Sequence, residues 1–449
     1  MRTSRNKQNQ TDIADIYALK FSALWQELKQ QHISFWFLCI YFLFEYTRPQ
    51  VVYPALDFLP WGSLLLFLTL ATAFMNKVKV NNSNPINKLM VVFAIIVTLS
   101  GVFAFNSAAS WGYKEVMLGW LIVYFLVINI VSTERQLILF IAAYLLFNLK
   151  MAQFGAIIWI KRGFSFVDIG LNGAPGWFQN SGEYAIQMVI YGSLALAFII
   201  SLSGHLGKYK KRILYMAAIM GYLAVMGASS RGSQFALAII AVWFVLKQKN
   251  GFKGLMVLVA LSVALLYLLP DEQMQRFRVI GEDNSSLQRL AYAKAGIEII
   301  KDKPVLGIGY SNWMSYMLYK FPDGIGVGQT IQESHNIFVQ AGSELGLVGL
   351  LCFLLLALYG FINNARTRRM ANLMGNKLFF NLSYGLDAGL IGFLVAGTFV
   401  TVLYYPFFWI QITMISMLNT VTRNTWREMK KSAIEKNGHS KRKNKLFND

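Results

Sequence analysis

From residue 33 to residue 421 the chain alternates between long apolar runs and short polar or basic breaks. The runs have neither the strict alternation of a half-buried strand nor the narrow apolar stripe of a soluble helix. Apolar residues surround the whole helical circumference, which suits helices embedded in lipid, where roughly 20 mainly apolar residues cross the hydrocarbon core. The pattern predicts twelve membrane helices, near residues 33–46, 61–75, 89–105, 116–131, 137–160, 184–203, 213–229, 234–246, 254–269, 345–362, 385–404 and 407–421. The fold class expected is therefore all-α: a polytopic membrane protein with one membrane domain over 33–422. A segment at 1–32 precedes it and a tail at 423–449 follows.

One interruption breaks the rhythm. Residues 270–344 form the only long connection, and loops beyond about 15 residues are usually functional or disordered. This one reads as folded: Leu287, Leu290, Ile297 and Ile300 recur at helical spacing, Ser285 or Ser286 can cap that helix, and Pro304 stops it ahead of a turn through Gly307 and Gly309. The aromatic segment "YSNWMSYMLYKF" follows, so short helices capping the outer face of the bundle are expected. Near the N-terminus, Ile13, Ile16, Tyr17, Phe21, Leu24 and Leu28 predict an amphipathic helix lying on the inner leaflet. No apolar core of a cleavable secretory signal is expected in the first 32 residues.

Composition agrees with a membrane domain: 55% of the 449 residues are hydrophobic and only 14% charged, against about a quarter charged in soluble domains. The mean hydropathy is +0.44. A net charge of +20 invites a nucleic-acid reading, which the distribution of the charge removes. With the N-terminus inside, 29 of the 42 Lys and Arg residues fall in cytoplasmic segments, as the charge bias that sets membrane topology requires. Both termini are expected in the cytoplasm of a bacterial inner-membrane protein, and the tail "KKSAIEKNGHSKRKNKLFND" is expected to face anionic lipid, not nucleic acid. Cys39 and Cys352 fall in apolar runs, so no disulfide or metal framework follows.

Seven of the remaining thirteen basic residues lie between Pro270 and Glu344, among them Arg276, Arg278 and Arg289. His335, in "ESHNIFVQAGSELG", is the one histidine of four that faces outward under this topology. A hydrogen-bonded structural imidazole is the commoner case, but a histidine at the mouth of a bundle beside arginines can act as a neutral base. Arg231, in "GASSRGSQFAL", stands where two apolar runs leave almost no room for a loop. It is either a snorkelling interfacial cation or a phosphate ligand, its planar fork matching phosphate oxygens. The Gly-x-Gly of "KPVLGIGY" lacks the strand and third glycine of a dinucleotide fingerprint. Neither a P-loop nor an Asp-x-Asp metal motif is present, which weighs against ATP-driven transport and metal-dependent nucleotide-sugar transfer.

Three stretches in this order, "SSRGS", "AYAKAGIEIIKDKPVLGIGYSNW" and "ESHNIFVQAGSELGLVGLL", resemble the O-antigen ligase and polymerase superfamily of bacterial envelope proteins over roughly residues 213–356. Upstream, "FEYTRPQVVYPALDFLPW" resembles a subgroup of O-glycosylation ligases linked to exopolysaccharide and exosortase systems. The resemblance implies transfer of a glycan from an undecaprenyl-pyrophosphate carrier to an acceptor hydroxyl at the periplasmic face. The acceptor would be lipid A-core sugar, another carrier-linked repeat or a protein side chain. It implies no cofactor and no metal. It further implies His335 as the base, Arg231 and Arg289 as pyrophosphate ligands, with Arg276 or Arg278 as a substitute for the latter. Asn336 and Glu344 complete the expected substrate site, with Glu344 or Glu333 orienting the imidazole. The alternatives are a repeat-unit polymerase of the same superfamily and a polysaccharide flippase. Few charged residues lie within the predicted spans, chiefly Lys150 and Asp387, which favours the transferase.

Overall fold

The computed structural model describes residues 11–446 apart from 82, 168–169, 248–250, 257–258, 261–280, 282 and 328–330, with side chains described as far as 434. The described chain is helical from end to end, as expected. Helix Ser181–Leu202 is the centre of the bundle, with nearly every side chain buried. Helix Lys377–Ala396 packs along it so closely that a Cβ on Gly385 would lie 2.4 Å from the Ala197 Cβ. Between membrane helices, where lipid is as apolar as leucine, such close backbone contact supplies the attraction that water would otherwise drive.

Among the described residues, five helices are long and apolar enough to cross a bilayer: Pro85–Val102, Glu134–Lys161, Ser181–Leu202, Ile337–Met374 and Lys377–Phe399. That supports a helical membrane protein but not the expected count of twelve. The apolar helices Ile33–Thr47, Trp61–Met75 and Arg231–Leu246 are shorter, of 15, 15 and 16 residues. At 1.5 Å per residue they span about 23 Å, less than a hydrocarbon core of about 30 Å. Most of the run expected at 254–269 lies outside the described residues.

Other expectations shift in detail. The N-terminal amphipathic segment is two short helices, Ile13–Tyr17 and Phe21–Lys29, because Leu19 turns the chain with φ of 49°. Of residues 363–377, expected as a connection, those up to Met374 continue helix Ile337–Met374, with Asn363, Asn364 and Thr367 buried. Likewise the last helix, Pro406–Leu446, runs into the basic tail. Asp387 is buried and paired, accepting from Arg368 at 2.5 Å and from Asn364 at 2.7 Å. Lys150 is exposed.

The outer connection folds as two helices, Asn284–Asp302 and Trp313–Lys320, around a small core of Tyr292, Ala295, Ile299, Ile308, Trp313 and Met317. The buried stripe differs from the one expected. Leu287, Leu290 and Ile297 are 40%, 52% and 49% exposed, because the aromatic segment packs on the neighbouring face of the same helix.

Candidate active site

The Lys-Pro-x-x-Gly-x-Gly motif receives a structural explanation first. Helix Ile337–Met374 is broken at Gly346, where φ is 68° and ψ is −175°. The turn segment after Pro304 lies against the break and takes up the backbone groups it frees: Ile308 N–H donates to Ser343 O at 2.8 Å, Gly309 N–H to Glu344 O at 3.0 Å, and Leu347 N–H to Pro304 O at 2.7 Å. Unpaired backbone in a membrane protein is tolerated only where protein or a cavity satisfies it. Gly307, with φ of 68°, sits at the crossing, and a Cβ there would fall 2.4 Å from the Ser343 carbonyl oxygen. On Gly346 a Cβ would fall 2.2 Å from the Val305 oxygen. These glycines let two backbones touch.

The break sets the pose of the nine residues before it, and so of His335. Asn336 caps the helix, its side-chain oxygen accepting from the Phe338 and Val339 N–H groups at 2.9 and 3.1 Å. Ser334 is buried, and the His335 N–H donates to Thr401 Oγ1 at 2.7 Å. Between these anchors His335 is held with φ of 50°, a left-handed conformation that disfavours an ordinary side chain by about 1–2 kcal/mol. Strain of this kind is retained where surrounding contacts over-determine the backbone, often at functional sites.

His335 lines a cleft of about 510 Å³, together with Tyr113, Trp177, Glu183, Tyr310, Trp313, Glu333, Glu344, Thr401, Tyr404 and Tyr405. Its aromatic walls and three carboxylates suit a polyhydroxylated ligand, with ring faces for sugar faces and acceptors for hydroxyl donors. The charge of Arg289 also reaches the imidazole. Its pKa is lowered to about 4, first by burial and then by the charge of Arg289, so it is neutral at physiological pH. Arg289 in turn binds its proton less firmly than usual, through burial and then the charge of Arg231, partly offset by Asp283. Arg231 itself is the first residue of helix Arg231–Leu246, after the tight turn at Ala228–Ser230, and pairs with Asp283 at 3.0 Å.

Asp283, not Ser285 or Ser286, is the cap of helix Asn284–Asp302. Burial works against its ionised form, but bonds from Ser286, Ser285 and Arg231 hold its carboxyl below the usual carboxylate range. One carboxylate thus fixes both the helix carrying Arg289 and the fork of Arg231.

The expected orienting role of Glu344 is taken by other contacts. Its carboxylate, buried behind the cleft, accepts from Trp313 N–H at 2.9 Å and Gln340 Nε2 at 3.4 Å. It ties the outer connection to the broken helix instead of gripping the imidazole. Arg276 and Arg278 lie outside the described residues. No cluster of His, Cys, Asp and Glu suited to a metal ion occurs among the described residues.

Sequence reasoning missed Thr401, Trp177, Glu183 and Tyr404, which come to the cleft from two distant parts of the chain. A partial signal existed for one. In "FEYTRP", Glu45 accepts from the Trp177 indole and faces Arg48 at 3.5 Å, so the upstream motif buttresses a cleft wall.

An all-helical membrane protein with a half-buried neutral histidine lining an aromatic cleft, under the charge of a nearby arginine, is the class that fold and site define. Residues 215–354 match the family model described as O-antigen ligase, Wzy_C, a stretch containing Arg231, Arg289, His335 and Glu344. The match supports placing this bacterial membrane protein in the O-antigen ligase superfamily, whose members are glycosyltransferase-like enzymes. No curated protein matches the chain.

Proposed function

We propose that the protein transfers a glycan from a polyprenyl-pyrophosphate carrier to an acceptor hydroxyl at the outer face of the membrane, with His335 as general base. The observation that carries the reading is the position of His335, which borders the cleft and feels the charge of Arg289, itself coupled to Arg231. The acceptor occupies the aromatic, carboxylate-lined cleft, and the donor pyrophosphate lies on the arginine side. The acceptor oxygen attacks the anomeric carbon as its proton passes to the neutral imidazole. The bond to the pyrophosphate oxygen breaks, and the arginines hold the departing charge. Attack and departure on opposite faces of one carbon invert its configuration. A diphosphate leaves readily, so cations and a base suffice without ATP.

The test is turnover and donor binding of purified His335→Ala and His335→Gln protein with a defined lipid-pyrophosphate glycan and candidate acceptors, in membranes without an ion gradient. Turnover is expected to fall about a hundred- to ten-thousand-fold with donor binding retained. Near-normal turnover in either variant refutes the base role. Glycan translocation without covalent transfer in the wild-type protein would establish the flippase instead. Whether the productive acceptor is lipid A-core, a second carrier-linked repeat or a protein hydroxyl separates ligase, polymerase and O-glycosylation activities in the same assay.

A further inference from the structure

Two adjoining cavities at the end of the bundle remote from the cleft play no part in this chemistry. One, about 390 Å³, is an apolar groove between helices Trp61–Met75 and Lys114–Ile130, walled by Leu70, Phe74, Leu121, Ile122 and Phe125. The other, about 550 Å³, is polar and includes Lys77, Lys79, Arg427 and His32 in its lining. Val78, Val80, Asn129 and Ile130 border both, so the groove runs directly into the polar cavity. The charged residues lining the polar cavity are all cations, with no carboxylate among them. Asn76 adds a donor: it lines this cavity, and its Nδ2 is shut off from solvent without a hydrogen-bond partner. The same helix Lys114–Ile130 borders the cleft through Val116 and the polar cavity through Ile128, Asn129 and Ile130, about 20 Å further along its axis.

We propose that this composite cavity is a binding site for an anionic phospholipid, with the phosphate held by Lys77, Lys79 and Arg427 and an acyl chain in the groove. The charge selects an anion, and basic pockets at the ends of membrane helices are suited to anionic lipid heads. The groove selects a lipid over a free ion, since a soluble phosphate leaves the groove's apolar wall exposed. Helix Trp61–Met75 ends at the junction, where Lys77, with φ of 50°, turns the chain so that Lys77 and Lys79 line the polar cavity while Val78 and Val80 border both. The site does not rest on the transferase reading.

The probes are short-chain phosphatidylglycerol, phosphatidylcholine of the same chain length, and inorganic phosphate, each added to the full-length protein in a neutral detergent. Native mass spectrometry gives the affinity and thermal unfolding the stabilisation. Phosphatidylglycerol is expected to bind and raise Tm, with phosphatidylcholine at least tenfold weaker and inorganic phosphate unable to displace the lipid. Triple substitution of Lys77, Lys79 and Arg427 by alanine is expected to weaken phosphatidylglycerol at least tenfold. Ile122→Trp, which fills the groove while leaving every cation in place, is expected to do the same, and both variants should elute as the wild type does. Unchanged affinity in either variant, or equal affinity for the two lipids, overturns the proposal. Displacement by millimolar inorganic phosphate would make the cavity a free-anion site and overturn it equally.

Discussion

His335, the proposed base, is kept neutral by two effects of the same sign, burial and the charge of Arg289, which bring its pKa to about 4. Both disfavour the imidazolium, so the neutral form persists as pH falls until roughly that value. The acid limb of kcat/KM, which reports the free enzyme, is therefore expected near pH 4, well below the limb an ordinary histidine would give. A bound pyrophosphate supplies negative charge beside the arginines and favours the protonated imidazole, so the limb in kcat is expected at higher pH than that in kcat/KM. Arg289→Ala removes the lowering charge and should move the free-enzyme limb upward while weakening the donor. Coincident limbs for wild type and Arg289→Ala would refute the coupling. Arg231→Lys is expected to restore function only in part, because an ammonium lacks the fork that pairs with Asp283 and matches phosphate.

The helix break at Gly346, packed on the 304–309 segment, transmits position to the site. An alanine at Gly346 or Gly307 meets a left-handed backbone and a carbonyl closer than 2.5 Å. The backbone term alone is about 1–2 kcal/mol, and the clash adds to it. Both variants are expected to lower the unfolding temperature in detergent and to impair turnover, since the crossing they disturb also sets His335. Gly119→Ala is the control: nothing lies within 4 Å of its Cβ, and replacing a mid-helix glycine by alanine should stabilise by about 0.5–1 kcal/mol. Equal behaviour of the three variants would show that the crossing does not govern the site. Sequence pattern located these elements well. It placed the turn at Arg231, the stop at Pro304 and the aromatic helix at Trp313, because each is written in local chemistry. It chose the wrong stripe of helix Asn284–Asp302 for burial, because which face is covered depends on a segment some twenty residues downstream.

At the scale of the molecule, the basic-residue distribution predicts that the cleft and the tail lie on opposite sides of the membrane. Cys39 is half-buried and Cys352 buried, so background labelling is low and introduced thiols report sidedness cleanly. An impermeant thiol reagent applied to intact cells is expected to label Asp323→Cys, on the exposed outer connection, and to leave Ser432→Cys, on the exposed tail helix, unmodified until the membrane is opened. Labelling of position 432 in intact cells would reverse the topology, and with it the face on which transfer occurs.

By itself, the sequence determined that the chain is helical and membrane-embedded, because apolar character all round a helix leaves few other solvents in which to place it. It also marked Arg231, Arg289 and His335, since charge and imidazole stand out against so apolar a background. The tertiary structure decided the count of helices long enough to cross, the left-handed pose of His335 under Thr401, and the capture of Glu344 by Trp313. It also assembled the cleft from Trp177, Glu183 and Tyr404. Those features depend on contacts between residues tens to hundreds of positions apart. No local periodicity encodes such contacts; they exist only once the helices have packed and their polar groups have found partners out of reach of water.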